Sequence, residues 1–504
     1  MRRTTTRLLS CILVAGFWAL APMSQAVSAQ TAADIRAADA EAEDKWIWST
    51  AIQAYIFGAP LMVFERERNI RLNQALRERA KAFAPVAPVN QIGHMRTLAT
   101  ADDIMPYTPN NDTVYSGAVV QVDDEPIILS VPAIHDRYWS VEIADNFTSN
   151  LGYIGTRATG GKAGHHAFVG PGWKGRLPEG VTEFRVPSNG VMLAIRIAVA
   201  PEDTADLDRV LALQPRFQLT SLSNWRVGRM GLADIPRKYT EGRPTPPSSY
   251  VGVNGLRIVN QFYTGEAGYF QTLAALLIED PLPAGHDAAI ELLKRLGIQP
   301  GHTLDPDTLS DVQTKAMARA TRDGAAILEW KKKFRGTRSS THWNNLFPGT
   351  YGTNYLDRAL GAVEGLFVHD RAEAVYFSTY EDADGNLFDG KNRYVMHFRK
   401  DQLPRLEKSG FWSITMYRAD GRNLQKNPIN RYAIGDRTSG LMYNEDGSLD
   451  IYVQAEPPHG KEANWLPSPP EGNFRLNFRN YLPSAEMQDP AQMDRFTPGV
   501  RKAP

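Results

Sequence analysis

Four Asp-Gly pairs, at Asp384-Gly385, Asp389-Gly390, Asp420-Gly421 and Asp446-Gly447, punctuate the C-terminal part of this chain, and the segments around them alternate apolar and polar residues. Both residues of the pair tolerate positive φ, which suits tight hairpin turns. Alternation with period two is the pattern of a half-buried strand. In one such run Leu449, Ile451, Val453 and Ala455 face one way and Asp450, Tyr452, Gln454 and Glu456 the other. In a second, Phe474, Leu476 and Phe478 oppose Arg475, Asn477 and Arg479. Both read as strands with a core face and a solvent face, so residues 366–490 are expected to be antiparallel β-structure.

At 504 residues the chain far exceeds the ~150 residues typical of one domain, so two to four units with their own cores are expected. Its start reads as an export signal over residues 1–29: Arg2, Arg3 and Arg7 are the basic region, Leu8 to Leu20 the apolar stretch, and Val27-Ser28-Ala29 the small-residue cleavage site. A cut after Ala26 fits the same rule. The expected destination is periplasmic or secreted. The lone cysteine, Cys11, falls inside the apolar stretch, which leaves no thiol after cleavage for disulfides, nucleophilic catalysis or soft-metal ligation. Basic and acidic residues balance at 56 each, and loss of three arginines gives 0 − 3 = −3 for the cleaved chain. That balance argues against a nucleic-acid partner or an anionic membrane surface. No later apolar run reads as long enough to cross a bilayer, so no membrane span is expected.

Residues 30–84 read as a helical arm, with Ile47, Ala51, Tyr55 and Gly58 at helical spacing and a break near Pro60. Over 85–225, short runs such as Ile127–Pro132, Arg137–Asp145 and Val191–Ala200 lie between Gly, Pro, Asn and Asp, as in a β-sandwich. Residues 226–365 read as a linker, Pro-rich at 243–249, followed by helices. One helix spans Ala288 to Leu296 and ends at Gly297; another begins at Asp305 with Pro306 in its first turn and carries the stripe Leu309, Val312, Ala316, Ala320, Gly324 and Ile327. The C-terminal β-block at 366–490 is followed by a tail at 491–504. The fold class is mainly β with α.

No catalytic motif of high specificity occurs. Thr108 to Ser116 concentrates side-chain amides and a carboxylate that can hold a ligand's hydroxyl groups or satisfy a loop's own backbone. Gly155 to Lys162 fails as a phosphate loop, because Thr156 stands where the first glycine belongs and Ala163 replaces the Ser or Thr that would bind magnesium. Asp382, Asp384, Asn386 and Asp389 offer oxygen ligands, but the loop's glycine falls at the fourth place and Arg393 stands where a closing glutamate belongs, so no metal is assigned. The adjacent His165 and His166 would point to opposite faces of a strand. Paired carboxylates are a different matter, since glycosidases need only two across a sugar. Asp102, Asp103, Asp112, Glu142 and Asp145 are candidates, with Trp412, Tyr417 and Trp465 as stacking surfaces or as core.

Several segments carry a resemblance: Thr108 to Ser116, Arg137-Tyr138, Gly155-Thr156-Arg157, Gly170-Pro171-Gly172-Trp173, Phe411 to Tyr417, Asn427 to Tyr432 and Asn464 to Pro467. In this order they resemble exported bacterial proteins that combine domain of unknown function 1254 with domain of unknown function 1214. The resemblance implies an N-terminal immunoglobulin-like β-sandwich, a helical insert and a C-terminal jelly-roll β-sandwich, and it supplies no reaction. From the residues themselves, the expected catalytic set is Asp112, Asp145 and Arg157, and the expected ligand-binding set is Asn110, Asn111, Tyr115, Arg137, Trp412, Tyr417 and Trp465. No cofactor is called for. The leading expectation is an enzyme or binding protein for a small polar or carbohydrate-like ligand, held where the first β-region meets the helices or the second β-region. The alternative is a non-catalytic envelope module that forms a homo-oligomer or binds a partner protein.

Overall fold

The computed structural model describes residues 32–503 other than 83, 104–107, 202, 241–262, 264, 281, 333–335, 346–348 and 420–422. The export signal, the Pro-rich segment and the Asp420-Gly421 turn lie outside the described residues. Lys45–Pro504 forms one compact unit. Within Met1–Asp44 the described residues are helical from Ala32.

The first helix, Ala32–Leu72, runs through Pro60 where a break was expected. Proline removes one ladder hydrogen bond, a cost of ~3 kcal/mol. Against it stand Ile47, Ala51, Tyr55, Leu61 and Met62 of the same helix, buried in one apolar cluster with Leu273, Ala316, Leu328 and Val363. Each large side chain so buried is worth about 1.5–3 kcal/mol, and together they outweigh the proline. By length and composition this helix could cross a membrane, contrary to the expectation that no such run follows the signal, but 72% of its apolar window is buried inside the protein. Asp305 caps only a single turn, Pro306–Thr308. The long helix Asp311–Lys331 starts later because Ser310 and Gln313 form a reciprocal capping box. Its Gly324 lets the two helices touch: a Cβ there would lie 2.3 Å from the Tyr55 ring.

Nine strands form the N-terminal β-region: β1 (Gly93–His94), β2 (Thr113–Gln121), β3 (Ile127–Val131), β4 (Trp139–Asp145), β5 (Asn150–Gly155), β6 (Gly164–Val169), β7 (Val181–Arg185), β8 (Gly190–Ala198) and β9 (Gln218–Ser221). They make two sheets, ordered β1-β2-β8-β4-β5 and β7-β6-β3-β9. All pairs are antiparallel except β6 with β7. Val114, Val141, Leu193 and Ile195 of the first sheet share an apolar cluster with Ile127, Leu129, Phe168 and Leu219 of the second.

Ten strands follow: β10 (Thr337–Arg338), β11 (Asn344–Asn345), β12 (Ala374–Thr379), β13 (Tyr394–Phe398), β14 (Leu406–Arg418), β15 (Ala433–Gly435), β16 (Leu449–Gln454), β17 (Trp465–Pro467), β18 (Phe474–Pro483) and β19 (Val500–Lys502). Their sheets run β10-β11-β12-β18-β14-β15 and β17-β16-β13-β19, with β16 and β17 parallel. The segment read as a tail thus supplies an edge strand, β19, which pairs with β13. Gly385 and Gly447 adopt φ of +83° and +81°, as their Asp-Gly turns require.

The strand β16 behaves as its alternation predicts: Leu449, Ile451 and Val453 are buried and their neighbours half-buried. By contrast, β18 is buried along its whole length. Phe474, Leu476 and Phe478 enter the apolar core, while Arg475, Asn477 and Arg479 face the N-terminal β-region instead of water. Phe478 is the centre of that core, within ring contact of Trp343, Phe377, Phe398 and Trp412. Phe478→Ala should cost about 3–5 kcal/mol in urea unfolding; a loss below ~1 kcal/mol would show that the site collapses and that this core is not well packed.

Candidate functional site

Strand register sets the side chains of two facing sheets. On the outer face of the first sheet, Tyr115, Arg196 and Ser140 lie in one row and Glu142 and Tyr153 in the next. On the facing sheet, Tyr376, Arg479 and Ser413 form a row, then Ser378, Asn477 and Thr415, then Arg475 and Tyr417. Apolar contact among Tyr138, Ala198, Ala374, Phe411 and Tyr481 brings the faces together. Polar links then fix them. Ser413 Oγ donates to Asp112 Oδ2 at 2.6 Å, Arg437 donates to Asp112 Oδ1 at 3.0 Å, and Asn110 Nδ2 donates to the Tyr481 hydroxyl at 2.7 Å. Arg157 Nε donates to Glu373 Oε2 at 2.6 Å, and the Tyr138 hydroxyl donates to Glu373 Oε1 at 2.9 Å.

At the centre of this seam lies a fully buried carboxylate. Arg196 donates to Glu142 Oε2 at 2.5 Å and to the Phe367 carbonyl at 2.7 Å. Arg196 Nη1 also donates to His369 Nε2 at 3.1 Å, and His369 Nδ1 sits 3.1 Å from Glu142 Oε2, outside hydrogen-bond geometry. Burial alone would push the Glu142 carboxyl up; His369 and Arg196 outweigh it and hold the group down at about 2. Among the described residues its second oxygen, Oε1, is buried with no donor. Above the pair, the Arg196 guanidinium lies 5.6 Å from the centre of the half-buried Tyr115 ring.

The expected site residues scatter across this geometry. Asp112 and Asn110 are buried links of the seam, and the half-buried Asn111 adjoins them. Asn110 Oδ1 accepts from the backbone of Asp112 and Thr113, as an Asx turn does. Tyr115 reaches the seam. Arg157 is a partly exposed brace on Glu373. Asp145 is elsewhere: its carboxylate accepts from the Phe147 and Ser149 N–H groups of the β4–β5 turn, and burial pushes it up to about 6. Arg137 is a brace on the rim of the sheet, held by both oxygens of Asp206.

The three aromatics offered as stacking surfaces are corrected. Trp412 packs on Phe398 and Phe478 in the core, Trp465 is buried with its indole donating to the Gln454 carbonyl, and Tyr417 is fully buried with its hydroxyl donating to the Pro109 carbonyl. Their large apolar area is worth more inside than as an open platform. The oxygen-rich loop at 382–389 closes on itself, for Asp382 Oδ1 accepts from the Asp384 and Asn386 N–H groups. Missed altogether were Arg196, His369, Glu373, Arg475 and Arg479. For Arg196, Arg475 and Arg479 the signal was a charge inside a strongly apolar or aromatic strand, as in Val191–Ala198 around Arg196; His369 and Glu373 lie in the segment before β12 and carried none.

Residues 89–221 match the family described as Protein of unknown function (DUF1254), and residues 373–485 match Protein of unknown function (DUF1214); the chain carries both domains in that order. Among solved structures it is similar to the VPA0106 protein from Vibrio parahaemolyticus, at 23% identity and a TM-score of 0.65, over 91% of this chain and 100% of that one. It also matches an uncharacterized protein from Burkholderia cenocepacia, at 12% identity and a TM-score of 0.41, over 94% of this chain and 99% of that one. The first likeness shows a shared fold. No curated protein matches the chain.

A carboxyl held at about 2 in the folded chain and near 4.3 when unfolded adds stability that is present above pH ~4.5 and is lost as pH falls toward 2, on the order of 3 kcal/mol in full. Glu142→Gln should therefore lower stability at pH 6 and cost nothing comparable near pH 2. Parallel stability curves for the two proteins over that range would contradict this.

Proposed function

We propose that this chain is an exported protein, periplasmic or secreted, that binds a small hydroxyl-bearing ligand at the seam between its two β-regions. In this reading the first region is an immunoglobulin-like β-sandwich and the second a jelly roll, each with its apolar core between its two sheets, and the Ala32–Leu72 helix belongs to the folded core rather than to a bilayer. One observation carries the function: Glu142 Oε1 is an ionised, buried oxygen with no donor. Leaving such an acceptor unmet costs about 1–3 kcal/mol or more. A ligand hydroxyl supplies the missing donor, and Arg196 and His369 hold the carboxylate in the state that accepts it. The half-buried Tyr115 and Tyr376 are the amphipathic walls of the approach.

Thermal-shift screening of the purified protein against sugars, polyols and hydroxy acids tests the reading. At least one compound should raise the melting temperature in a saturable way, since a ligand of the native state stabilises it. Glu142→Gln, which turns an acceptor into an amide, should weaken that compound at least tenfold. Failure of every class of compound, together with a mass that rises with protein concentration, would favour the self-associating module instead. Recovery of the protein in the cytoplasmic fraction would refute export.

A further inference from the structure

Arginines at the seam fall into two kinds. Arg157, Arg196 and Arg437 each meet a carboxylate, on Glu373, Glu142 and Asp112 respectively. Among the described residues Arg475 and Arg479 contact none, although the Asp112 charge acts on Arg479 from a distance. Both lie on β18 with 6% of their surface exposed, and among the described residues they donate to neutral oxygens. Arg475 donates to the hydroxyls of Tyr380 and Thr108, each at 3.0 Å. Arg479 donates to the hydroxyls of Thr415 at 2.8 Å and Tyr417 at 2.7 Å, and to the Thr108 carbonyl at 3.3 Å.

Burying a cation without an anion is costly, and proteins ordinarily answer it with a carboxylate. Here two cations are brought close together: both guanidinium groups reach Thr108, and they lie 5.3 and 5.6 Å from the centre of the same Tyr417 ring. A guanidinium carries five N–H donors. Among the described residues the ten donors of this pair make five hydrogen bonds, and Arg475 Nε is buried with none. Asn477, between them on the same face of β18, has its Oδ1 buried and unpartnered as well. The half-buried Tyr115, Tyr376 and Tyr380 surround the patch. Tyr115 and Tyr481 interact electrostatically with both Arg479 and Arg196, so the patch and the Glu142 centre share one wall.

We infer that Arg475 and Arg479 form an oxyanion clamp, so that the ligand proposed above is a small hydroxy acid or phosphorylated polyol. Its anionic group takes the unused arginine donors while its hydroxyls address Glu142 and the Asn477 amide. Guanidinium forks match the paired oxygens of carboxylate and phosphate. This inference rests on the proposed binding at the seam, but it commits further, to the sign of the ligand's charge.

Calorimetric and thermal-shift titrations of the purified protein decide it, using inorganic phosphate, tartrate and the neutral four-carbon polyol erythritol, all at constant ionic strength set with sodium chloride. Tartrate or phosphate should bind with one-to-one stoichiometry and raise the melting temperature, with erythritol at least tenfold weaker. Arg475→Met and Arg479→Met should each weaken anion binding at least tenfold, and each should hold or raise the melting temperature in anion-free buffer, because a buried charge with no carboxylate in contact has been removed. Arg475→Lys and Arg479→Lys, which keep the charge and lose the fork, serve if the methionine variants do not fold, and should show an intermediate loss. Equal response of wild type and variants to the anions, or no response to either anion beyond that to chloride, would overturn the clamp. A saturable response to erythritol alone would overturn the clamp while leaving the proposed polar-ligand site standing; silence from all three compounds in a protein that answers another neutral polyol would do the same.

Discussion

Desolvation of charge along β18 governs this architecture. A strand with arginines at 475 and 479 can leave that face in water at almost no cost, yet here the face is covered by Thr108, Asn110 and the outer side of the first sheet. Covering it takes two guanidinium groups out of water, which has to be offset by hydrogen bonds and neighbouring charge. The seam is accordingly dense in tyrosine hydroxyls, serine and threonine, side chains that accept and donate without adding charge of their own. Apolar contact at Tyr138, Ala198, Phe411 and Tyr481 closes one end of the seam and excludes solvent, which strengthens every polar link inside it.

Much of the fold was legible, because periodicity reports burial directly. The alternation in Leu449–Gln454 gave the correct strand and the correct inward face. The Ile127–Val131, Trp139–Asp145 and Gly190–Ala198 strands followed from short apolar runs bounded by turn residues. Failures came where tertiary packing overrode a local rule. Pro60 is a helix breaker in isolation and is tolerated inside a helix whose flanking residues are buried on every turn. Asp305-Pro306 is a good helix start, yet Ser310 with Gln313 satisfies two backbone donors reciprocally and wins the longer helix.

The site was harder to see, and β18 shows why. Alternation reports that two faces differ; it does not report whether the polar face meets water or another polar surface. Arg475, Asn477 and Arg479 have the same spacing in both cases. Loop clustering fared better, since Asn110, Asp112 and Tyr115 do lie at the seam, but as its fasteners and walls: Asp112 is committed to Ser413 and Arg437. Only the paired geometry of two sheets separates a carboxylate that ties the regions together from one, like Glu142, that keeps an oxygen unspent.

Two acids on the same strand make the point sharply. Glu142 and Asp145 are both fully buried on β4, three residues apart, and both lose their hydration. Glu142 sits between Arg196 and His369, which together hold its carboxyl down at about 2. Asp145 has Arg358 nearby, but that guanidinium donates to the Phe147 and Gly352 carbonyls and the Ser149 hydroxyl, so burial dominates and lifts the carboxyl to about 6. At neutral pH the first is a permanent anion. The second is lifted by burial toward neutrality and serves as a turn cap that keeps Phe147 packed against His286 and Tyr355 in the helical layer. Residue type and depth are shared, so the division of labour arises from where the cations point. The helical layer commits the Arg358 guanidinium to oxygens of the turn, and the facing β-region brings His369 and Phe367 to Arg196. A permanently charged acceptor with a free oxygen therefore exists only when both β-regions are docked, which ties the competence of the seam to the assembly of the whole chain.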